Sequence, residues 1–301
     1  MRIQVLGLCL GLGAAGCGAH HSVATDAGPG GDAGIGITGG TVPSLYFAVV
    51  GDTRPNNQDD VQNYPTAIIQ KIYADIEAMN PRPQFVLSTG DYQYATTTGA
   101  QQLALYMSAA SQFTGGPIFP VMGNHECTGY TDGNCVGTTV TKNEEAFNQQ
   151  MLAPIGQSLP YYTVHFNAED GSWNAKLVVI ACNAWDGTQK SWLQNELSQS
   201  TTFTFIARHE EIGAGSSPPC LGDVDPMFKQ YPYNILLVGH SHYFQYIGFE
   251  REVIVGNGGA PLDSNSATYG YATVQQQSNQ FVVTEYDYQT AAPLQTIPIA
   301  F

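Results

Sequence analysis

Positive charge is what this 301-residue sequence has least of: ten Lys and Arg stand against 25 Asp and Glu, a formal net charge of −15. Binding nucleic acid through its phosphates requires a basic face, which ten scattered cations do not supply, and this argues against such partners. Charge of either sign is scarce, at 12% of residues about half the usual ~25%. The polar surface must therefore come largely from Ser, Thr, Asn and Gln, as is common in exported proteins. The N-terminal apolar run falls well short of the ~20 residues that span a bilayer. No CxxC spacing supports a Cys-based zinc site, and no GxSxG marks a serine nucleophile. The glycine-rich GNGGAP at 256–261 lacks the Lys of a phosphate-cradling loop and reads as a turn. There is no internal repeat.

What is present suffices for a sizeable core, with 43% hydrophobic and 11% aromatic residues, so disorder of the whole chain is excluded. The N-terminus is a separate matter. Arg2, the apolar stretch from Ile3 to Leu12 and Ala14-Ala15-Gly16-Cys17 have the charged start, short hydrophobic region and small-residue end of a secretory signal. The small residues run into Cys17, and the stretch resembles a bacterial lipoprotein lipobox, with Ala14 where Leu is more usual. Residues 1–16 are thus expected to be a signal peptide and Cys17 a lipidated anchor. That makes an exported protein held at the cell envelope, in the periplasm or on the cell surface, or else secreted. Residues 17–40, rich in Gly, Ala and Asp, bury too little to offset ordering entropy. They read as a flexible tether reaching roughly 25–30 Å, with His20 and His21 as part of it. Residues 41–301 then form one domain.

Of six cysteines, Cys127, Cys135, Cys182 and Cys220 remain after the signal and anchor. In an oxidising compartment they make two disulfides with three pairings open. Cys127 with Cys135 closes a short loop and leaves Cys182 with Cys220, the preferred arrangement.

From Leu45 the chain alternates β-rich runs, 45–52, 84–91, 117–124, 161–166, 176–182, 203–209 and 235–240, with helical patterns. Pro65 opens a helix whose Ile68, Ile69, Ile72, Tyr73, Ile76 and Met79 share one face. Others lie near 101–113, 143–152 and 190–199. The alternation predicts an α/β fold with a parallel, doubly wound sheet. After 240 the strands follow one another without helices and predict an antiparallel closure.

Five of these strands finish in candidate metal ligands or their neighbours: Asp52 in GDTR, Asp91 in GDYQY, Asn124 and His125 in GNHE, His209 in IARH, and His240 and His242 in GHSH. In open α/β sheets ligands bind at the carboxyl ends of strands. One such Asp is commonly a helix cap or turn former, and one His is commonly structural. Five in chain order are not explained that way.

These blocks resemble the calcineurin-like metallophosphoesterase superfamily, and GDYQY, whose Tyr94 completes GDxxY, is similar to its purple acid phosphatase branch, as are Glu126 of GNHE and the Ile206-x-x-His209 spacing. The resemblance implies an αββα sandwich, two mixed sheets packed face to face and flanked by helices. It also implies two metal ions: one held by Asp52, Asp91, Tyr94 and His242, the other by the shared Asp91 with Asn124, His209 and His240. Carboxylate and phenolate oxygens suit Fe(III); two imidazoles and an amide oxygen suit Zn, Mn or Fe(II). A bridging Asp91 brings the ions to roughly 3.5–4 Å, where they clamp both oxygens of an in-line displacement and supply a metal-bound hydroxide. His125 is the expected proton donor to the leaving oxygen.

Arg54 departs from the pattern, since the broad superfamily has a ligating His here and purple phosphatases a Gly. Guanidinium cannot ligate a cation. Two roles stay open: gripping substrate phosphate with its bidentate fork, or pairing with an acidic neighbour such as Glu126 or Glu210. Tyr92 is expected to pack, His165 to be structural, and Glu210 and Glu211 to be solvated loop carboxylates. The implied activity is hydrolysis of a small phosphoester, foremost a monoester. Phosphodiester or pyrophosphate hydrolysis on the same site, and an inactive tethered binding protein, are the alternatives. Loops at 95–116, 127–142 and 210–222 would set specificity.

Overall fold

Thirteen strands in two sheets frame the described residues, which in this computed structural model are 37–128, 141–214, 218–264 and 266–301. The signal, Cys17, His20, His21 and Cys135 lie outside them. In chain order the strands are β1 (Ile37–Val42), β2 (Tyr46–Val50), β3 (Val86–Ser88), β4 (Ile118–Pro120), β5 (Tyr162–Ala168), β6 (Asn174–Val179), β7 (Phe203–Ala207), β8 (Ile235–Val238), β9 (Phe244–Ile247), β10 (Glu252–Val255), β11 (Gly270–Gln277), β12 (Gln280–Asp287) and β13 (Pro293–Ala300). The helices are α1 (Thr66–Ala78), α2 (Gly99–Ala110), α3 (Asn124–Thr128), α4 (Lys142–Phe147), α5 (Gly187–Ser198) and α6 (Leu221–Phe228). None of the described helices is long and apolar enough to cross a membrane.

One sheet has the order β1-β5-β6-β7-β8-β10-β9, the other β13-β12-β11-β2-β3-β4. Both are mixed. In the first, β6, β7, β8 and β10 are parallel while β5/β6 and β10/β9 are antiparallel. In the second, β2, β3 and β4 are parallel and β2, β11, β12 and β13 antiparallel. The single doubly wound sheet predicted from the alternation is therefore corrected to the two-sheet sandwich that the family resemblance implied. The late segments also divide: β10 joins the first sheet parallel to β8, and β11 to β13 extend the second.

Strands β7, β8 and β10 are buried along their whole length, as central strands covered on both faces are. The inner faces meet through aromatic rings. Phe205 of β7 lies edge-on to Phe47 of β2 at 5.5 Å and to Phe281 of β12 at 4.8 Å, and Phe166 of β5 stacks on Phe85 at 5.0 Å. On the outside of the second sheet, α1 buries Ile69, Ile72, Tyr73 and Ile76. Its neighbour α2 is tied to β3 by Tyr106, whose hydroxyl donates to Ser88 Oγ at 3.0 Å. On the first sheet, α5 accepts a bond at Glu196 from Thr163 of β5 at 2.8 Å.

Residues 37–40, assigned by composition to the tether, instead form the start of β1, an edge strand parallel to β5. Cys182 and Cys220 are disulfide-bonded with Cα atoms 5.0 Å apart. This agrees with the preferred pairing and ties the loop after β6 to the start of α6.

Because Phe205 sits between two rings of the opposite sheet, Phe205→Ala should lose about 3–5 kcal/mol of stability, measured by denaturant unfolding. A loss below about 1 kcal/mol, within surface-substitution range, would show that these rings do not hold the sheets together.

Candidate metal centre

The parallel strands of the two sheets end on the same side of the sandwich, and their carboxyl ends bring the sequence blocks together. Asp52 follows β2, Asp91 follows β3, and Asn124 and His125 open α3 directly after β4, all from one sheet. His209 follows β7, and His240 and His242 follow β8, from the other. The halves interlock: the Asp52 carboxylate accepts from the His240 backbone N–H at 3.0 Å, and His209 Nδ1 donates to the Thr89 carbonyl at 2.7 Å. Three of the presumed ligands, Asp52, Asp91 and His240, have φ of 54°, 56° and 69°. Left-handed backbone in non-glycine residues is held only where surroundings enforce it, and it collects at functional sites. The preceding turns leave no room for side chains. A Cβ on Gly239 would stand 2.4 Å from Asp52 Oδ2, and one on Gly123 would stand 2.3 Å from Asp91 Oδ1.

The imidazole protons follow from their partners. A carbonyl only accepts, so His209 Nδ1 and likewise His242 Nδ1, 2.6 Å from the Pro261 carbonyl, carry the proton, and each Nε2 lone pair faces the centre. His209 Nε2 is 3.2 Å from Asp91 Oδ1 and 3.3 Å from His240 Nδ1. His242 Nε2 is 3.6 Å from Asp52 Oδ1. A neutral imidazole lone pair and a carboxylate oxygen at 3.2 Å repel unless a proton or a metal cation lies between them. Burial works against a charged His209, but the Asp91 and Asp52 carboxylates raise it well above its ordinary pKa. Burial and the Arg54 charge push His242 down to about 4. The donors fit cations on three counts. Ligand atoms of Asp52, Asp91 and His242 lie within 4.8 Å of one another. Asp52 Oδ1 is buried with no hydrogen-bond partner. Carboxylates and neutral imidazoles are the donor types that divalent and trivalent ions take.

A cavity of about 440 Å³ opens onto this cluster, lined by Arg54, Asn56, Tyr94, His125, His242, Pro261, Leu262 and Asp263. The Tyr94 ring is half-buried, edge-on to His125 at 5.0 Å, with the Arg54 guanidinium over its face at 5.0 Å. His125 Nε2 is 3.6 Å from Asp91 Oδ2, and its backbone N–H donates to Asp91 Oδ1 at 3.3 Å. Asn124 is buried at the first residue of α3. The fold thus brings Asp52, Asp91, His209, His240 and His242 into contact with one another, with Arg54, Tyr94 and His125 beside them.

Arg54 does pair with an acid, but not with either one anticipated. Its Nε lies 3.7 Å from Asp91 Oδ2 and its Nη2 3.4 Å from His242 Nε2. Glu126 is otherwise engaged: fully buried, it accepts from the backbone N–H groups of Asp91 and Gly123, both at 2.9 Å, of Tyr92 at 2.8 Å and of Gln93 at 3.1 Å. Burial and Asp91 push its carboxyl up to about 7, opposed by His209 and by the Gly123 and Tyr92 amides. Glu210 is buried too and accepts from Asn183, while Glu211 accepts from Ser241 Oγ at 2.9 Å. The expectation of solvated carboxylates is therefore corrected, because the turn after β7 holds Glu210 in the interior against Asn183 and leaves Glu211 half-buried. Tyr92 packs as expected, fully buried with its hydroxyl donating to the Ser88 carbonyl at 2.9 Å. His165 sits on β5, opposite Lys176 of β6 and outside the cluster. The bracing role of Glu126 and the orienting carbonyls of Thr89 and Pro261 had no signal in the sequence beyond the final Glu of GNHE.

A sequence profile of calcineurin-like phosphoesterases matches residues 45–244. No curated protein matches the chain. Among solved structures it is similar to GAP50, described as the anchor in the inner membrane complex of Plasmodium, with a TM-score of 0.59, 16% identity, and coverage of 86% of this chain and 90% of that one. It is similar to a purple acid phosphatase from yellow lupin seeds, at TM-score 0.57 and 16% identity, where 87% of this chain matches 55% of the lupin chain. A dimetal phosphatase from Danio rerio gives 0.59, 12% identity, and coverage of 86% and 100%. At these identities the structures establish a common fold.

Glu126→Gln replaces one acceptor oxygen by an amide donor facing backbone N–H groups, and should loosen the turn that carries Asp91. Metal affinity is expected to fall about 10- to 100-fold while circular dichroism stays unchanged. Unaltered affinity would mean that Glu126 does not brace the centre.

Proposed function

The chain belongs to the calcineurin-like phosphoesterase family, and we propose that it is a metal-dependent phosphoester hydrolase acting foremost on small phosphomonoesters. The observation that carries this reading is the convergence of ligand atoms of Asp52, Asp91 and His242 within 4.8 Å of one another, with Asp52 Oδ1 buried and without a hydrogen-bond partner. Asp91, Asn124, His209 and His240 would hold one ion, Zn, Mn or Fe(II). Asp52, Asp91, Tyr94 and His242 would hold the other, Fe(III) with a phenolate ligand. Bound there, such ions neutralise phosphoryl charge and acidify a water molecule. The chain's own residues do the rest. His125, 8% exposed and lining the cavity, donates a proton to the leaving oxygen. Arg54 is the only Lys or Arg among the residues lining that cavity, and its positive charge favours the doubly charged monoester over a diester.

The Plasmodium neighbour described as an anchor supports a second reading, a binding protein without turnover. His125 and the intact donor set favour the hydrolase. The Cys182–Cys220 disulfide fits an oxidising compartment, in keeping with an exported domain held at the envelope through Cys17.

The test is hydrolysis of p-nitrophenyl phosphate and its bis ester by metal-loaded protein. Turnover of the monoester should exceed that of the diester and stop on chelation. His125→Ala should lower kcat about 10²- to 10⁴-fold with metal content unchanged, and His209→Ala should lose both metal and activity. Bound metal without turnover of either ester would replace the hydrolase by the binding protein.

A further inference from the structure

The two donor sets differ in one respect that neither the motifs nor the family fold accounts for. His242 has its Nδ1 proton committed to the Pro261 carbonyl at 2.6 Å, so its Nε2 carries a single lone pair. That lone pair faces Arg54 Nη2 at 3.4 Å. Guanidinium is always protonated and can only donate. An imidazole lone pair can accept that hydrogen or coordinate a metal, but not both at once. The same guanidinium places Nε 3.7 Å from Asp91 Oδ2 and lies over the Tyr94 ring at 5.0 Å. Arg54 therefore contacts three of the four residues assigned to the first ion. Its side chain is only 16% exposed, which keeps these contacts from being dissolved by water. On the other side of Asp91, His209 Nε2 meets Asp91 Oδ1 and His240 Nδ1, contacts whose shared protons are lost when a metal binds, whereas a guanidinium keeps its own.

We propose that Arg54 is the centre's built-in cation, competing with the ion of the Asp52–Asp91–Tyr94–His242 set for the His242 lone pair and for the charge of Asp91. The ion at Asp91, Asn124, His209 and His240 is then held tightly, and the second enters only by displacing Arg54. This makes the centre unequal by design of one side chain: a resting chain carries one ion and gains the second at raised metal concentration. Displaced from His242, the guanidinium remains at the cavity mouth, where its fork is available to a phosphate.

The inference rests on the metal-dependent reading above, and metal counting separates the two. Chelator-stripped full-length protein is titrated with Zn(II), with calorimetry for affinity and mass spectrometry for stoichiometry. Wild type should show one tight step and one at least tenfold weaker. Arg54→Ala should tighten the weaker step about tenfold to hundredfold, the equivalent of one charge-assisted hydrogen bond, and leave the tight step in place. His242→Ala should keep the tight step and abolish the weak one, and it covers the case in which Arg54→Ala does not fold. With Fe(III), the tyrosinate absorption band should be stronger in Arg54→Ala than in wild type at equal metal. Two tight steps in wild type, an unchanged weak step in Arg54→Ala, or loss of the tight step in His242→Ala would overturn the proposal and leave the metal reading intact. No Zn(II) binding to any of the proteins would overturn both.

Discussion

Two carboxylates, Asp52 and Asp91, are buried where the ends of both sheets meet, and the rest of the centre is arranged to compensate them. Removing an ionised carboxylate from water costs several kcal/mol unless positive charge and hydrogen bonds replace the solvent. Asp91 has that replacement. Burial opposes its charge, yet His209, His125 and Arg54 hold its carboxyl well below the usual range. Asp52 has less, one backbone N–H from His240 and an imidazole at 3.6 Å; burial and the neighbouring Asp91 raise it well above the usual value, with His209 opposing. The pair is thus short of positive charge on the Asp52 side, since the Arg54 ion pair falls to Asp91.

That demand explains the backbone. Left-handed conformations at Asp52, Asp91 and His240 each cost of order 1–3 kcal/mol and persist because the turns brace one another. The Asp52 N–H donates to the Gly90 carbonyl at 3.1 Å and the Thr53 N–H to the Asp91 carbonyl at 3.0 Å. Glu126 gathers the amides that follow Asp91 from below. The strands beneath are short, three residues each in β3 and β4, so the turns inherit their positions from the aromatic packing between the sheets. Distortion of that core would move ligands contributed by different sheets relative to each other.

How much of this could be read in advance follows from what is local. Each ligand block spans a few consecutive residues at a strand end, so Asp52, Asp91, His209, His240 and His242 were legible from motif and order alone, as was the helix face of α1. The division into two sheets was not legible from alternation, because a strand's neighbours are not written in its own residues: β2 pairs with β11, more than two hundred positions away. Strand β1 was hidden by its two glycines, and α6 by an internal proline. Strand β13 carries Pro293 and Pro298, which an edge strand tolerates and a central one does not. The partners of Arg54 and Glu126 were missed for the same reason: both depend on which chain segments the fold brings alongside.

Family membership fixes the sandwich but not turnover, and metal uptake and turnover make separate physical demands on this chain. Cation uptake follows from acceptors that face one another with too few protons, a condition met whether or not a substrate ever arrives. Turnover asks for more: an open approach, a proton donor at the leaving group and a place for the transferred phosphoryl group. The second is proposed for His125, whose Nε2 stands 3.6 Å from Asp91 Oδ2 on the wall of the cavity. Arg54 stands at the remaining requirement from two sides, since its positive charge both compensates Asp91 and lines the cavity that opens onto the cluster. One arginine can serve both ends only in sequence, first against the carboxylates and then toward an incoming anion. The residue that departs from the family pattern is therefore the one through which metal content and substrate charge are coupled.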